Sequence, residues 1–176
     1  MSVFLQPIYT QTVTAANVSR ITFNNIPQTF TDLVIKVSQR NTHSGPYEPF
    51  VIGFNNDTNT IYSQSSLGGD GSSVNSYRTS GNSYLSYTNN MSVNAATSTT
   101  NTFGSLELYM PNYTGSNFKS VIVDSVTENN SATNVATGLL AGLFRSTSAV
   151  SRVDVIGYNA NISQYTTITI YGVTRG

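Results

Sequence analysis

At 176 residues the chain has the length of one domain and enough material to bury a core. Eight Lys and Arg balance eight Asp and Glu, and charged residues make up only 9% of the sequence, so no basic cluster exists to displace counterions from a phosphate backbone; this argues against nucleic acid as a partner. Cysteine is absent, which excludes disulfides and thiol chemistry, while eleven Tyr and eight Phe set the chain apart from disordered sequences of similar Ser/Thr/Asn content.

The N-terminal residues show no basic region followed by an apolar run, and no stretch approaches 18 consecutive apolar residues, so neither a signal peptide nor a membrane span is expected. Six Asn-x-Ser/Thr sequons, starting at Asn17, Asn56, Asn90, Asn112, Asn129 and Asn161, then follow from composition rather than from glycosylation. Val3, Phe4, Leu5, Ile8 and Tyr9 form an apolar cluster interrupted by Gln6 and Pro7. A terminus carrying five large apolar side chains has to bury them. One solution is a first strand, confined to a sheet edge by Pro7. The other is an extended arm, within residues 1–15, that adds to the sheet edge of a neighbouring subunit; we take this arm as the main partner-binding anchor.

Further along, two-residue alternation recurs and no 3.6-residue apolar stripe is sustained, so strands are expected throughout. Arg20 to Phe23 places Ile21 and Phe23 on one face, and Asn24, Asn25 and Pro27 end it. Asp32 to Ser38 puts Leu33, Ile35 and Val37 on one side with Lys36 and Ser38 on the other, the pattern of a sheet with one wet face. Phe50 to Phe54 runs into an Asn/Asp turn at Asn55 to Asn59. From Ile61 to Thr102 the composition turns to Ser, Gly, Asn and Tyr, and we read residues 61–102 as an elaborated, loop-rich surface region. Strands resume at Phe103 to Met110, Phe118 to Thr127, Leu139 to Phe144, Ala149 to Tyr158 and Thr166 to Val173. About eight strands without βαβ alternation predict a single all-β domain over residues 1–176: a two-sheet antiparallel sandwich, jelly-roll-like.

Catalytic candidates are few. His43, the single histidine, lies in a Ser/Gly loop without a Gly-x-Ser-x-Gly elbow. Asn55, Asp57 and Asn59 occupy the first three oxygen positions of a calcium loop, but Thr60 and Ser66 stand where an EF-hand requires Gly and Glu. Asp124, Glu128 and Asp154 are the acids to weigh as a glycosidase pair, and acids on the wet face of a strand look the same in sequence. Gly68 to Gly71 lacks the Gly-Lys-Ser/Thr ending of a phosphate loop. No enzyme, metal or cofactor is expected. The run Asn75 to Asn90 sets Tyr77, Tyr84 and Tyr87 among Ser, Asn and Gly, the mixture found in adhesive loops and equally that of a loop packed on a sister subunit or on its own sheet.

Three segments, IPQTFTDLVIKVSQR (Ile26 to Arg40), YMPNY (Tyr109 to Tyr113) and the C-terminal GLFRSTSAVSRVDVIGY with TTITIYGVTRG, resemble small virion proteins of tailed phages, especially marine and cyanobacterial ones. The resemblance implies a jelly-roll-like protein of the particle, assembled in the host cytoplasm, and carries over no functional residues. The expectation is a capsid decoration or cement protein, a homotrimer, bound to the major capsid protein or another virion protein. The alternative is a fibre or tail-tip host-recognition module whose Tyr-rich loops bind surface glycans.

Overall fold

The computed structural model describes residues 3–15, 18–85, 90–131 and 136–175; at 3 and 175 it describes the backbone alone. Among these residues there are thirteen strands and no helix. In chain order they are β1 (Val3–Thr12), β2 (Arg20–Phe23), β3 (Asp32–Gln39), β4 (Tyr47–Pro49), β5 (Val51–Phe54), β6 (Tyr62–Gly69) and β7 (Val74–Asn82). Then follow β8 (Ser92–Asn94), β9 (Gly104–Pro111), β10 (Lys119–Val126), β11 (Thr137–Phe144), β12 (Val153–Ile156) and β13 (Thr167–Arg175).

Eight strands form one antiparallel sheet in the order β1-β13-β3-β9-β10-β11-β6-β7. A three-stranded sheet, β2-β12-β5, and a two-stranded one, β4-β8, complete the fold. Alternation decides which face is inward: Leu33, Ile35 and Val37 of β3, Leu106, Leu108 and Met110 of β9, Val121 and Val123 of β10, and Ile168 and Ile170 of β13 are all buried. They share one hydrophobic core with Ile21 and Phe23 of β2, Ile52 and Phe54 of β5, and Val153 and Val155 of β12. An aromatic group ties the layers together. The Tyr62 ring stacks on Phe144 at 4.9 Å, Phe54 lies 5.6 Å from Phe144, and the Tyr62 hydroxyl accepts the Phe54 N–H at 2.9 Å.

The turns that punctuate the sequence fall where the chain needs a left-handed backbone. Asn25, Asn55, Asn56, Asn112 and Asn130 all have φ between 49° and 59°, a region Asn tolerates better than other residues with a Cβ.

Residues 61–102 differ from the loop-rich expectation. Most of the first half is the β6–β7 hairpin, which extends the large sheet to its edge. Gly68 and Gly69 lie within β6, and the turn is made by Asp70, whose carboxylate accepts the Ser72 and Ser73 N–H groups at 2.9 and 2.7 Å, with Gly71 at φ +87°. Alternation hides these strands because the inward positions of β6 include Gln64, Ser66 and Gly68, and because much of β7 is exposed on both faces. Gly68 and its cross-strand partner Gly138 on β11 have a packing reason: a Cβ on either would run into Asn90, which lies on the inner face there and accepts a 3.0 Å hydrogen bond from Ser125.

Candidate functional site

The loop residues singled out for chemistry are engaged in hydrogen bonds within the fold. His43 Nδ1 lies 3.1 Å from the Gly45 N–H and 3.1 Å from Glu48 Oε2, two contacts that require opposite protonation of the same nitrogen. Glu48 is itself buried and accepts the Asn159 N–H at 3.1 Å. No hydroxyl is hydrogen-bonded to this imidazole among the described residues. Asn55 is turned inward to Ala149, Ser151 and Arg152, and Asp57 accepts from both the backbone and the side chain of Asn59, so the calcium-like spacing serves a turn. Among the described residues no group of three or more His, Asp or Glu could hold a metal ion.

The three acids are dispersed. Asp154 is buried on β12, where Arg152 holds it at 2.8 Å and Thr22 at 2.7 Å, with Arg20 at 3.6 Å. Burial pushes its pKa up, but the hydrogen bonds from Arg152 and Thr22 and the charges of Arg152 and Arg20 outweigh this and hold the carboxyl below its usual value. Glu128 accepts the Asn130 N–H in a turn. Asp124 lies on the outer face of β10, opposite Glu107 of β9, whose own charge is met by Lys36 at 3.0 Å.

Two cations, Lys119 buried and Arg40 partly buried, escaped the sequence reading because each is satisfied by backbone carbonyls of loops. Lys119 is 1% exposed, and its ammonium donates to the carbonyls of Gly115, Ser146 and Ser148, clipping two loops together; burial lowers its pKa. Arg40 donates to the carbonyls of Ala96, Ser98, Thr99 and Thr102 and so shapes the loop after β8. Neither faces a carboxylate, so both read as architecture.

The surfaces are more informative. The N-terminal segment is not a free arm: Val3–Thr12 pairs antiparallel with β13 as an edge strand of the large sheet, with a register shift between Pro7 and Tyr9. The edge position accommodates Pro7, which has no N–H to give. Ile8 and Tyr9 pack against the core, and Tyr9 reaches Phe23 with ring centroids 6.0 Å apart. This explains why the arm expectation fails for them. Phe4 and Leu5 stay exposed at the outer end of the strand, and the side chain of Val3 lies outside the described residues.

Of the three tyrosines expected to act together, two lie within the described residues. Tyr77 is exposed on β7, whereas Tyr84 lies against Gly53 of β5, and Tyr87 lies outside the described residues. Tyr165, not singled out from the sequence, is 68% exposed at φ +70° beside a groove lined by Arg40 and Phe103.

A further surface was missed altogether. On the outer face of β10, β11, β6 and β7, Ile122, Val126, Leu139, Leu67 and Val74 are exposed, above a shallow groove of about 380 Å³. The signal lay in Val121-Ile122-Val123 and Leu139-Leu140, where consecutive apolar residues place large side chains on both faces of a strand. Comparison with family models, curated proteins and solved structures gave no match.

Proposed function

We propose that this chain is a non-catalytic structural protein of a phage particle, a decoration protein that binds the outer capsid surface and stabilises contacts between coat subunits. The observation that carries the structural part of this reading is the exposed apolar face on β10, β11, β6 and β7, a surface suited to protein contact rather than to chemistry. The assignment to a phage particle rests on the resemblance of Ile26 to Arg40, Tyr109 to Tyr113 and the C-terminal segments to virion proteins. A jelly-roll-like layout belongs to the same reading. It is supported by the way the chain passes between the large sheet and the three-stranded one, from β1 to β2 to β3, from β5 to β6, and from β11 to β12 to β13. Attachment to the coat uses the outer end of β1, where Phe4 and Leu5 project from an edge strand.

A micrograph of the virion that resolves this chain tests the proposal. Many copies spread over the capsid shell are expected; no copy on the particle overturns it. Copies confined to a fibre or tail tip would transfer the role to host recognition, a reading favoured by the exposed Tyr165 beside its groove, an aromatic platform of the kind on which sugar rings stack.

A further inference from the structure

The exposed apolar face is bordered by two unusual charges. Among the charged side chains described, Arg78 and Asp124 alone have neither an ion pair nor a hydrogen bond. Every other one is met by an opposite charge, by carbonyls or by backbone N–H groups, as with Lys36, Lys119 and Asp70. In a chain with so few charges, two unmatched ones on a single face are informative. The register fixes their places. Asp124 of β10 pairs with Leu139 of β11, which pairs with Leu67 of β6, which pairs with Ser76 of β7. Arg78 lies two residues beyond Ser76 on the same outward side of β7. The row therefore reads acid, Leu, Leu, Ser, with an arginine one step along the last strand. Glu107, directly opposite Asp124, is already neutralised by Lys36 at 3.0 Å, so Asp124 is the carboxylate left open to an approaching cation.

We propose that this face is a two-fold interface with a second copy of the same chain. An axis running along the strands, midway between β11 and β6, exchanges β10 with β7 and β11 with β6. Leu67 and Leu139 then pack on Leu139 and Leu67 of the partner subunit, and Arg78 faces Asp124 of the partner subunit, with the converse pair on the other side. The step from Ser76 to Arg78 is about 7 Å along a strand, within the reach of an arginine, and sheets packed face to face lie about 10 Å apart, which leaves room for two layers of side chains. Four strands about 4.8 Å apart, over about eight residues at about 3.4 Å each, cover about 500 Å² per copy. The total of about 1,000 Å² sits at the lower bound for a specific interface, so a reversible dimer with a dissociation constant on the order of micromolar is expected. The other half of the face, with Thr10, Thr12, Thr167 and Thr169 bonded to one another in cross-strand pairs, stays solvated.

This inference rests on the reading of the chain as a non-catalytic structural protein, but not on the particle it belongs to; a failed dimer leaves the virion micrograph as a separate test. The experiment is sedimentation velocity over a micromolar concentration series, with thermal melts as a check on folding. Wild-type protein is expected to pass from monomer to dimer. Arg78→Asp and Asp124→Arg, each alone, should weaken the dimer by roughly tenfold or more, since each places like charges together twice per dimer. The double variant should restore it, and an equal mixture of the two single variants should form a heterodimer, because each supplies the charge the other lacks. Leu139→Glu should leave a folded monomer. A wild-type monomer across the series, a trimer, or a double variant no tighter than the single ones overturns the proposal.

Discussion

The outer face of the large sheet is built in two halves that treat water differently. On β1, β13, β3 and β9 the outward residues include Thr10, Thr12, Thr167, Thr169, Lys36 and Glu107, and these pair across strands: Thr10 with Thr169 at 3.2 Å, Thr12 with Thr167 at 3.0 Å, Lys36 with Glu107 at 3.0 Å. On β10, β11, β6 and β7 the same face shows Leu, Ile and Val, with Asp124 and Arg78 unmatched beside them. The inner positions run the other way: the polar half rests on Leu33, Ile35, Val37, Leu106, Leu108, Ile168 and Ile170, whereas Gln64 and Ser66 lie with Val121, Val123 and Leu140 beneath the apolar half. One half is complete against solvent, and the other gains from being covered.

The comparison can be tested most severely at adjacent residues of β11. Leu140 is fully buried beneath the apolar half and Leu139 stands on it. Leu140→Ala should cost about 3 kcal/mol in urea denaturation, whereas Leu139→Ala should move monomer stability by about 0.5 kcal/mol or less. Equal losses would mean that the outer leucine is already covered within one chain.

Next in size is the contrast between a buried, paired aspartate and an unmatched one. Removing the Asp154 carboxylate leaves Arg152 without its partner, and Asp154→Ala should cost about 2 kcal/mol, below the value for a fully enclosed pair because the two arginines reach solvent. Asp124→Ala should leave monomer stability unchanged. Because the folded-state pKa of Asp154 lies below its unfolded value of about 3.8, its contribution is present above that pH and is lost as pH falls through the folded pKa. Acid titrations followed by circular dichroism should therefore show a shallower acid limb for the Asp154 variant than for wild type, and no such change for the Asp124 variant.

Smaller still is the effect of the polar half on itself. Lys36 and Glu107 are each about half exposed, and burial does little to strengthen their attraction. Lys36→Ala should produce no measurable shift in the denaturation midpoint and no change in self-association. A loss of dimer on this substitution would place the interface on the polar half.

Phe4→Ser combined with Leu5→Ser probes the remaining surface. Both side chains are exposed, so melting should be unaffected while binding to purified capsids is lost. Deleting Met1 to Tyr9 is the poorer experiment, since it removes the edge strand together with Tyr9 and its contact to Phe23.

The strand class and most strand positions were legible in the sequence. Arg20 to Phe23 matches β2 residue for residue, and the segments read at Asp32, Phe103, Phe118 and Thr166 match β3, β9, β10 and β13 to within a residue or two at each end. Alternation there is driven by one buried face, and the Asn-rich breaks supplied the left-handed turns. The hairpin of β6 and β7 was invisible for the converse reason: its inward positions are polar or glycine, and its membership of the sheet depends on pairing Gly68 with Gly138 beneath Asn90.

Taken alone, the amino-acid order determined that this is an all-β chain, where most strands begin and end, and which residues share a side of each strand, because side-chain direction repeats every two residues whatever the strand's neighbours. Only the tertiary structure decided which strands lie side by side, that β1 closes against β13 rather than reaching away, and that one apolar side of β10 and β11 meets the core while the other meets solvent. Periodicity defines faces but not what covers them; that is set by pairings between residues far apart in the chain, on which a local pattern carries no information.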